Sequence, residues 1–305
     1  MRIVGCVLAL AVFGPPIVIT RFIEAAAQLP TAPAEGSPVT LPRASQDDVR
    51  SQINGQTYRV MVSTPYMADP GFTYPALYVL DGNVYFGTAA ETMTRQAVLR
   101  TAAPAIVIGI GYPTDDPQEA IRRRQVNQTP SVSKAPNFQG LSGGGDLFLR
   151  VLEEELKPFV AERYPLDRRR QIIWGHSLGG LIVLRALFRN PESFSTFILS
   201  SPSIWWNDRE VLADEEAFSK RARAGAFRLR VLVTSAADEQ YRGDDPKLRA
   251  SDSRMVDNAS ELAARLKLLR PADIVVERVI FDGEVHNSVQ QASLSRTMRF
   301  AFPRP

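Results

Sequence analysis

The feature that most restricts the fold is Gly175-His176-Ser177-Leu178-Gly179, set between a β-forming run and an apolar helix-forming run. Ahead of it, Gln171-Ile172-Ile173-Trp174 reads as a buried strand. Behind it, Leu178 to Arg189 carries Leu181, Ile182, Val183, Leu184, Ala186 and Leu187 at helical density. Two such elements meet at one corner only if the chain turns sharply, and glycines at 175 and 179 remove the Cβ atoms that would hold strand and helix apart. The result is a strand–turn–helix that lifts the Ser177 Oγ out of the corner.

The remaining apolar runs agree with a sheet built around that unit. Thr57–Val62 alternates and fits an outer strand, whereas Ala76–Leu80 and Ala105–Ile110 are continuous and fit buried parallel strands. Further strand-like runs follow at Thr196–Leu199, Leu229–Val233 and Ile274–Ile280. Helix-period stretches lie between them. One starts at Asp146, which the pattern predicts as an N-cap, and runs through Leu147, Leu149, Val151 and Leu152 to Leu156. Another spans Arg254 to Leu269, with Leu262, Leu266 and Leu269 on one face. Strands alternating with helices predict an α/β protein with a mostly parallel central sheet and helices on both faces. Residues 112–145, rich in Pro, Asn, Gln, Ser and Gly, read as a long segment without regular structure, either functional or disordered. Together with the segment beginning Ser201-Pro202-Ser203-Ile204-Trp205-Trp206, they belong at the carboxyl edge of the sheet, where such folds bind ligands.

The amino terminus reads differently. Met1-Arg2 precedes an apolar stretch from Ile3 to Thr20, and Ala25-Ala26-Ala27 offers the small residues of a cleavage site. Pro15-Pro16 interrupts the stretch and argues against a continuous membrane-spanning helix, although an uncleaved anchor is the rival reading. The expected organisation is a signal peptide over 1–27, a flexible leader over 28–46 and one α/β domain over 47–305. This implies a periplasmic or secreted protein with no stable membrane association after cleavage. The sole cysteine, Cys6, falls in the signal segment, so no disulfide or thiolate chemistry is expected in the domain. A net charge of +3, with basic residues scattered among acids, gives no nucleic-acid footprint.

A serine hydroxyl is a weak nucleophile at neutral pH and needs a neighbouring base. The chain has two histidines, His176 and His286. His176 adjoins Ser177 and points along the turn, which leaves His286, in the polar segment after the last strand run, as the general base. Asp238-Glu239 follows the Val231–Thr234 strand, and either carboxylate fits the role of holding the imidazole tautomer. The order Ser, acid, His is that of α/β-hydrolases. Tetrahedral chemistry at Ser177 also needs preorganised donors. The Leu178 N–H is the expected first, and Gly82 or Asn83, in the turn after Leu77–Leu80, the second. With histidine scarce, no metal or organic cofactor is expected.

With these residues in place, the chain resembles the esterase family of α/β-hydrolases, most nearly its enterobactin-type and bacillibactin-type siderophore esterases. The resemblance covers residues 50 to 302. It rests on Tyr74-Pro75-Ala76-Leu77-Tyr78-Val79-Leu80-Asp81-Gly82, Arg122-Arg123-Arg124, Gly143-Gly144-Gly145-Asp146, the Ser177 elbow extended to Gly180, Ser201–Trp206 and Gly283-Glu284-Val285-His286. It implies ester hydrolysis through an acyl-enzyme at Ser177 and His286, on a small-molecule ester with siderophore trilactones as candidates. Acyl transfer to a carbohydrate or lipid acceptor and siderophore binding on an inactive scaffold are the alternatives. Relatives carry Gly-Glu-x-Glu near the acid, and here Ala236-Ala237-Asp238-Glu239 aligns Glu239 with the final Glu. Arg122 and Arg123 are candidate contacts for an anionic ferric ligand or a solvated cluster. Trp205 and Trp206 are candidates for an acyl pocket or for core packing.

Overall fold

The computed structural model describes residues 37, 39–135, 138, 140–240, 253–270 and 272–304. The signal segment expected over 1–27 lies outside them, as does the leader up to residue 36. Leu41–Pro305 forms one compact unit. Its eight-stranded sheet comprises β1 (Ala44–Arg50), β2 (Thr57–Ser63), β3 (Tyr74–Leu80), β4 (Ile106–Gly111), β5 (Leu166–His176), β6 (Thr196–Ser200), β7 (Leu229–Ala236) and β8 (Ile274–Phe281). The spatial order is β1-β2-β4-β3-β5-β6-β7-β8. β1 pairs antiparallel with β2 and β2 antiparallel with β4, while every later pairing is parallel.

Side chains alternate between two cores, as the period of a strand demands. On β5, Ile173 enters the larger core while Ile172 and Trp174 enter the smaller. The smaller core lies under α1 (Gly82–Val98) and α7 (Val289–Ala301). The larger lies under α3 (Gly145–Val151), α4 (Leu178–Arg189), α5 (Glu215–Arg223) and α6 (Met255–Lys267). The strand–turn–helix unit thus sits at the centre of the sheet, its helix α4 buried along nearly its whole length.

Several local expectations are corrected. The strand at the antiparallel edge is β1, not Thr57–Ser63, and it begins inside the stretch expected as a flexible leader. Its sequence, Ala-Ser-Gln-Asp-Asp-Val-Arg, is polar because a terminal strand has one open edge, so apolar periodicity gives no signal there. The stretch 112–145 is not one loop: it contains α2 (Pro117–Asn127), capped by the Asp116 carboxylate accepting from the Gln118 N–H at 2.9 Å. Asp146 is not an N-cap. Gly144 holds that position, and the Asp146 carboxylate instead takes a bidentate bond from the Arg185 guanidinium at 3.0 and 2.9 Å. A π turn at Leu152–Leu156 then shifts the register before the helix resumes at Lys157–Ala161.

Close packing at the elbow is the constraint that fixes this centre. A methyl group placed on Gly175 would lie 2.2 Å from the Gly179 carbonyl oxygen, and one on Gly180 would lie 2.9 Å from the Pro202 Cα. Neither backbone can yield without moving the strand from the helix. Gly175→Ala is therefore expected to lower stability by about 3 kcal/mol, the upper range for overpacking a core. A urea or thermal midpoint no lower than that of the parent would contradict this.

Candidate active site

Ser177 occupies the turn between β5 and α4 at φ 59°, ψ −116°, a conformation that L-residues rarely adopt. Strain of this kind costs about 1–3 kcal/mol and persists only where the surroundings enforce it. The enforcing contacts are visible. The Ser177 N–H donates to the Ser200 carbonyl at 2.9 Å, and the Ser177 carbonyl accepts from Leu181 at 3.0 Å and Ser203 at 3.1 Å. The hydroxyl itself pairs with the Ser203 Oγ at 3.2 Å.

His286 follows β8 in the turn before α7. Its Nδ1 lies 2.8 Å from the Glu239 Oε2. Glu239 closes a short 3-10 turn after β7, with a fully buried side chain, and its Oε1 accepts from the Ala236 N–H at 3.2 Å. The carboxylate is thereby held on both oxygens, and a buried carboxylate fixed in this way orients an imidazole and stabilises it when protonated. Of the two acids left open by the sequence, Glu239 is the one bonded to His286. Asp238 uses its backbone N–H to bind the Glu284 carbonyl at 3.0 Å, which braces the segment carrying the histidine.

Ser177 and His286 line the same cavity, of about 590 Å³. Its walls come from the start of α1 (Val84, Tyr85) and from α2 (Pro117, Ala120, Ile121), so the helix within the supposed loop supplies much of the apolar lining. Asn83 also faces the cavity. Its side-chain amide donates to the Tyr112 carbonyl at 2.8 Å and accepts from the Tyr112 N–H at 2.7 Å, which fixes the first turn of α1. Gly82 is buried, and a Cβ there would lie 2.9 Å from the Gly109 carbonyl carbon. Leu178, with its N–H in the first turn of α4, is buried beside Ser177. Backbone N–H groups at the start of α1 and α4 have no intrahelical partner and are suited to an oxyanion.

The arginine cluster is divided in its duties. Arg122 pairs with Glu119 at 3.0 Å on the exposed face of α2. Arg123 donates to the Thr57 carbonyl at 2.5 Å and covers the Tyr112 ring. Neither lines the cavity; Arg124 does. It binds the Asp81 carboxylate at 2.9 Å and the His176 carbonyl at 3.1 Å, tying the end of β3 to the elbow. Gln128 donates to the other Asp81 oxygen at 2.5 Å. Trp205 and Trp206 stand away from the cavity. Trp206 is buried with its Nε1–H on the Ser131 Oγ and its ring against Phe138, and Trp205 packs on the same core.

His176, passed over as a base, has a structural place in the site. Its ring centre lies 4.7 Å from that of His286. The Gln290 amide donates to the His286 carbonyl at 3.1 Å and reaches the His176 Nε2 at 3.2 Å, while the His176 Nδ1 faces the Ser200 Oγ at 3.2 Å. Burial, with the nearby His286 and Arg124, pushes the His176 imidazole well below its usual pKa. Sequence position alone gives no hint of this, because Gln290 and Ser200 are contributed by distant elements.

Comparisons with known proteins place the chain in a family. Residues 51–268 match the family described as "Putative esterase". The chain is 35% identical over 271 residues to the ferri-bacillibactin esterase BesA of Bacillus subtilis, covering 86% of this chain and 91% of that one. It is 34% identical over 283 residues to the siderophore triacetylfusarinine C esterase of Aspergillus fumigatus, covering 87% and 95%. Among solved structures, the BES protein from Bacillus cereus superposes with a TM-score of 0.77 at 33% identity, covering 88% of this chain and 99% of that one. The siderophore hydrolase EstA from Aspergillus nidulans gives 0.76 at 29%, covering 87% and 97%.

A buried neutral His176 makes a specific prediction. The unfolded imidazole titrates near 6.5 and the folded one well below it, so the unfolded state binds more protons between those values. Stability contributed by the neutral ring is complete above pH 6.5 and is lost as pH falls toward the depressed folded value. Denaturation at pH 5–6 should therefore take up about one proton that His176→Asn does not take up. Identical pH slopes for the two proteins would contradict a buried neutral ring.

Proposed function

The chain belongs to the esterase family of α/β-hydrolases and is a serine ester hydrolase, and from that membership we propose that it cleaves siderophore esters through an acyl-enzyme on Ser177. The observation that carries the residue assignment is the His286–Glu239 hydrogen bond at the wall of the cavity that also exposes Ser177. Support for the substrate comes from relatives named for bacillibactin and triacetylfusarinine C, matched along nearly their full length.

In this mechanism the Ser177 hydroxyl turns from Ser203 toward the Nε2 of His286 as an ester enters the cavity. Its Oγ attacks the carbonyl carbon while His286 takes the proton, and Glu239 stabilises the imidazolium through Nδ1–H. The developing oxyanion is received by the Leu178 N–H and the Asn83 N–H, a donor of this kind being worth about 3 kcal/mol of barrier. Collapse breaks the ester C–O bond, and the imidazolium returns its proton to the departing alcohol. Water then enters, loses a proton to His286, attacks the acyl-enzyme and releases the acid with Ser177 restored. Arg124 serves as a brace: by binding both Asp81 and the His176 carbonyl, it holds the two helix starts that carry the donors.

The reading extends to location. The charged start, apolar segment and Ala25-Ala26-Ala27 site support export to the periplasm or beyond. Among the described residues no helix is long and apolar enough to cross a membrane.

Pre-steady-state hydrolysis of a p-nitrophenyl ester is expected to show a burst equal to the enzyme concentration, absent in Ser177→Ala and in His286→Ala. Glu239→Gln should retain the fold but lose about 10²- to 10⁴-fold in kcat, since it supports the wrong imidazole tautomer. A burst surviving in Ser177→Ala would refute the assignment. Conversely, turnover of p-nitrophenyl esters with none of bacillibactin or triacetylfusarinine C would leave the catalytic residues standing and remove the substrate.

A further inference from the structure

We infer that His176 and Gln290 are positioning residues for the catalytic base, packing against His286 so that its ring keeps a fixed relation to Ser177. The inference rests on the assignment of Ser177, His286 and Glu239 above and adds to it what holds the base besides the carboxylate.

A single bond to Glu239 does not settle where the His286 ring lies. A ring gripped at one nitrogen can still swing about its two side-chain torsions, and a misplacement of about 1 Å can cost about 10²-fold in rate. The turn that carries it offers little restraint of its own: Asp282, Gly283, Val285, Asn287 and Ser288 are exposed. Support from the interior comes through two buried residues, His176 and Gln290. The Gln290 amide, on α7, donates to the His286 carbonyl at 3.1 Å and reaches the His176 Nε2 at 3.2 Å. The His176 ring centre lies 4.7 Å from that of His286, with the planes inclined by 39°, a separation typical of packed aromatic pairs.

His176 is itself locked. Its Nδ1 faces the Ser200 Oγ at 3.2 Å at the end of β6. Trp174 stacks on it with ring centres 6.4 Å apart, and Tyr85 meets it edge-on at 6.2 Å. Its carbonyl accepts from Arg124 at 3.1 Å, and its peptide bond leads directly into Ser177. The residue joined to the nucleophile therefore carries the ring that packs against the base, which ties the two positions by the shortest covalent path. Glu239 lacks this link, because it is anchored at the end of β7. Groups held to catalytic tolerance are supported by neighbours whose own rotamers are fixed in this way.

The charges around the base suit the role. Burial, with His286 and Arg124, holds the His176 imidazole well below its usual pKa, against hydrogen bonding to the backbone of His286 and Ser200. Burial also pushes the Tyr85 phenol, hydrogen-bonded to Gln290, up to about 12. Both rings are thus uncharged at neutral pH, and an imidazolium forming at His286 meets no repulsion from them.

The chain has two histidines, so isotopic labelling of histidine resolves each ring by nuclear magnetic resonance. The test follows p-nitrophenyl ester hydrolysis, the thermal midpoint and the ring resonances in the parent, Gln290→Leu and His176→Phe. The first variant keeps the volume and removes the hydrogen bonds; the second keeps a ring face and removes its polar edge. The expected result is a kcat lower by about 10- to 10²-fold in both with KM little changed. The His286 Nδ1–H resonance, sheltered by Glu239 in the parent, should broaden or vanish in both. Residues that only complete the packing of α7 and β5 would lower the thermal midpoint and leave kcat and that resonance unmoved. That outcome would overturn the inference, and if one variant loses its cooperative transition the other decides. A parent protein with no acyl-enzyme burst would instead remove the catalytic assignment beneath it.

Discussion

Everything at this site depends on how near strand β5 comes to helix α4. Gly175 lies against the Gly179 carbonyl in a contact that leaves no room for a methyl group on Gly175. Because the strand ends and the helix starts within that contact, Ser177 is forced into its left-handed conformation and its hydroxyl cannot retreat into the core. The local strain costs about 1–3 kcal/mol and is sustained by the burial of α4 on the sheet. Each further element of the site is then a device for addressing a serine whose position is already set.

Those devices come from separate parts of the chain and are tied to one another through polar contacts in a largely apolar setting. Glu239 ends β7, His286 follows β8, and their bond joins two adjacent parallel strands at the carboxyl edge of the sheet. Asp81 follows β3 and is joined through Arg124 to the carbonyl of His176, so the start of α1 is held to the elbow that begins α4. Gln290 on α7 connects the carbonyl of His286 to the ring of His176. A catalytic geometry fixed by several such bonds undergoes little reorganisation when charge develops, which is the condition under which preorganised dipoles lower a barrier.

The sequence discloses this arrangement unevenly, for identifiable reasons. Continuous apolar runs mark the buried strands because both their faces enter cores, so β3, β4, β5, β6 and β7 announce themselves, whereas β8, at the other edge, is betrayed by its β-branched residues although most of it is only partly buried. β1 does not, since Asp47 and Asp48 sit on an open edge where hydrophobic periodicity is not required. The helix at Pro117–Asn127 is equally hidden: its residues are mostly polar and part of it walls a cavity instead of a core. Ser177 and His286 are legible because the elbow needs glycines and because the chain has so few imidazoles. Choosing between Asp238 and Glu239 needs the turn after β7, which aims the second carboxylate at the ring and leaves the first outside. The arginine triplet is the least legible feature. One turn of helix separates side chains that point to Glu119, to Thr57 and to Asp81, and only the last reaches the cavity. Trp205 and Trp206 look like ligand contacts from composition, yet a tryptophan with a partner for its N–H serves a core equally well, as Trp206 does with Ser131.

The central claim is that Ser177 is activated by a histidine whose orientation is set by Glu239. Its most direct test is covalent labelling with a fluorophosphonate, read by peptide mass mapping and by the rate of adduct formation. The account expects one adduct, on the peptide containing Ser177, forming far more slowly in Glu239→Gln and in His286→Ala. An adduct on any other residue, or equal labelling rates in parent and Glu239→Gln proteins, would contradict it.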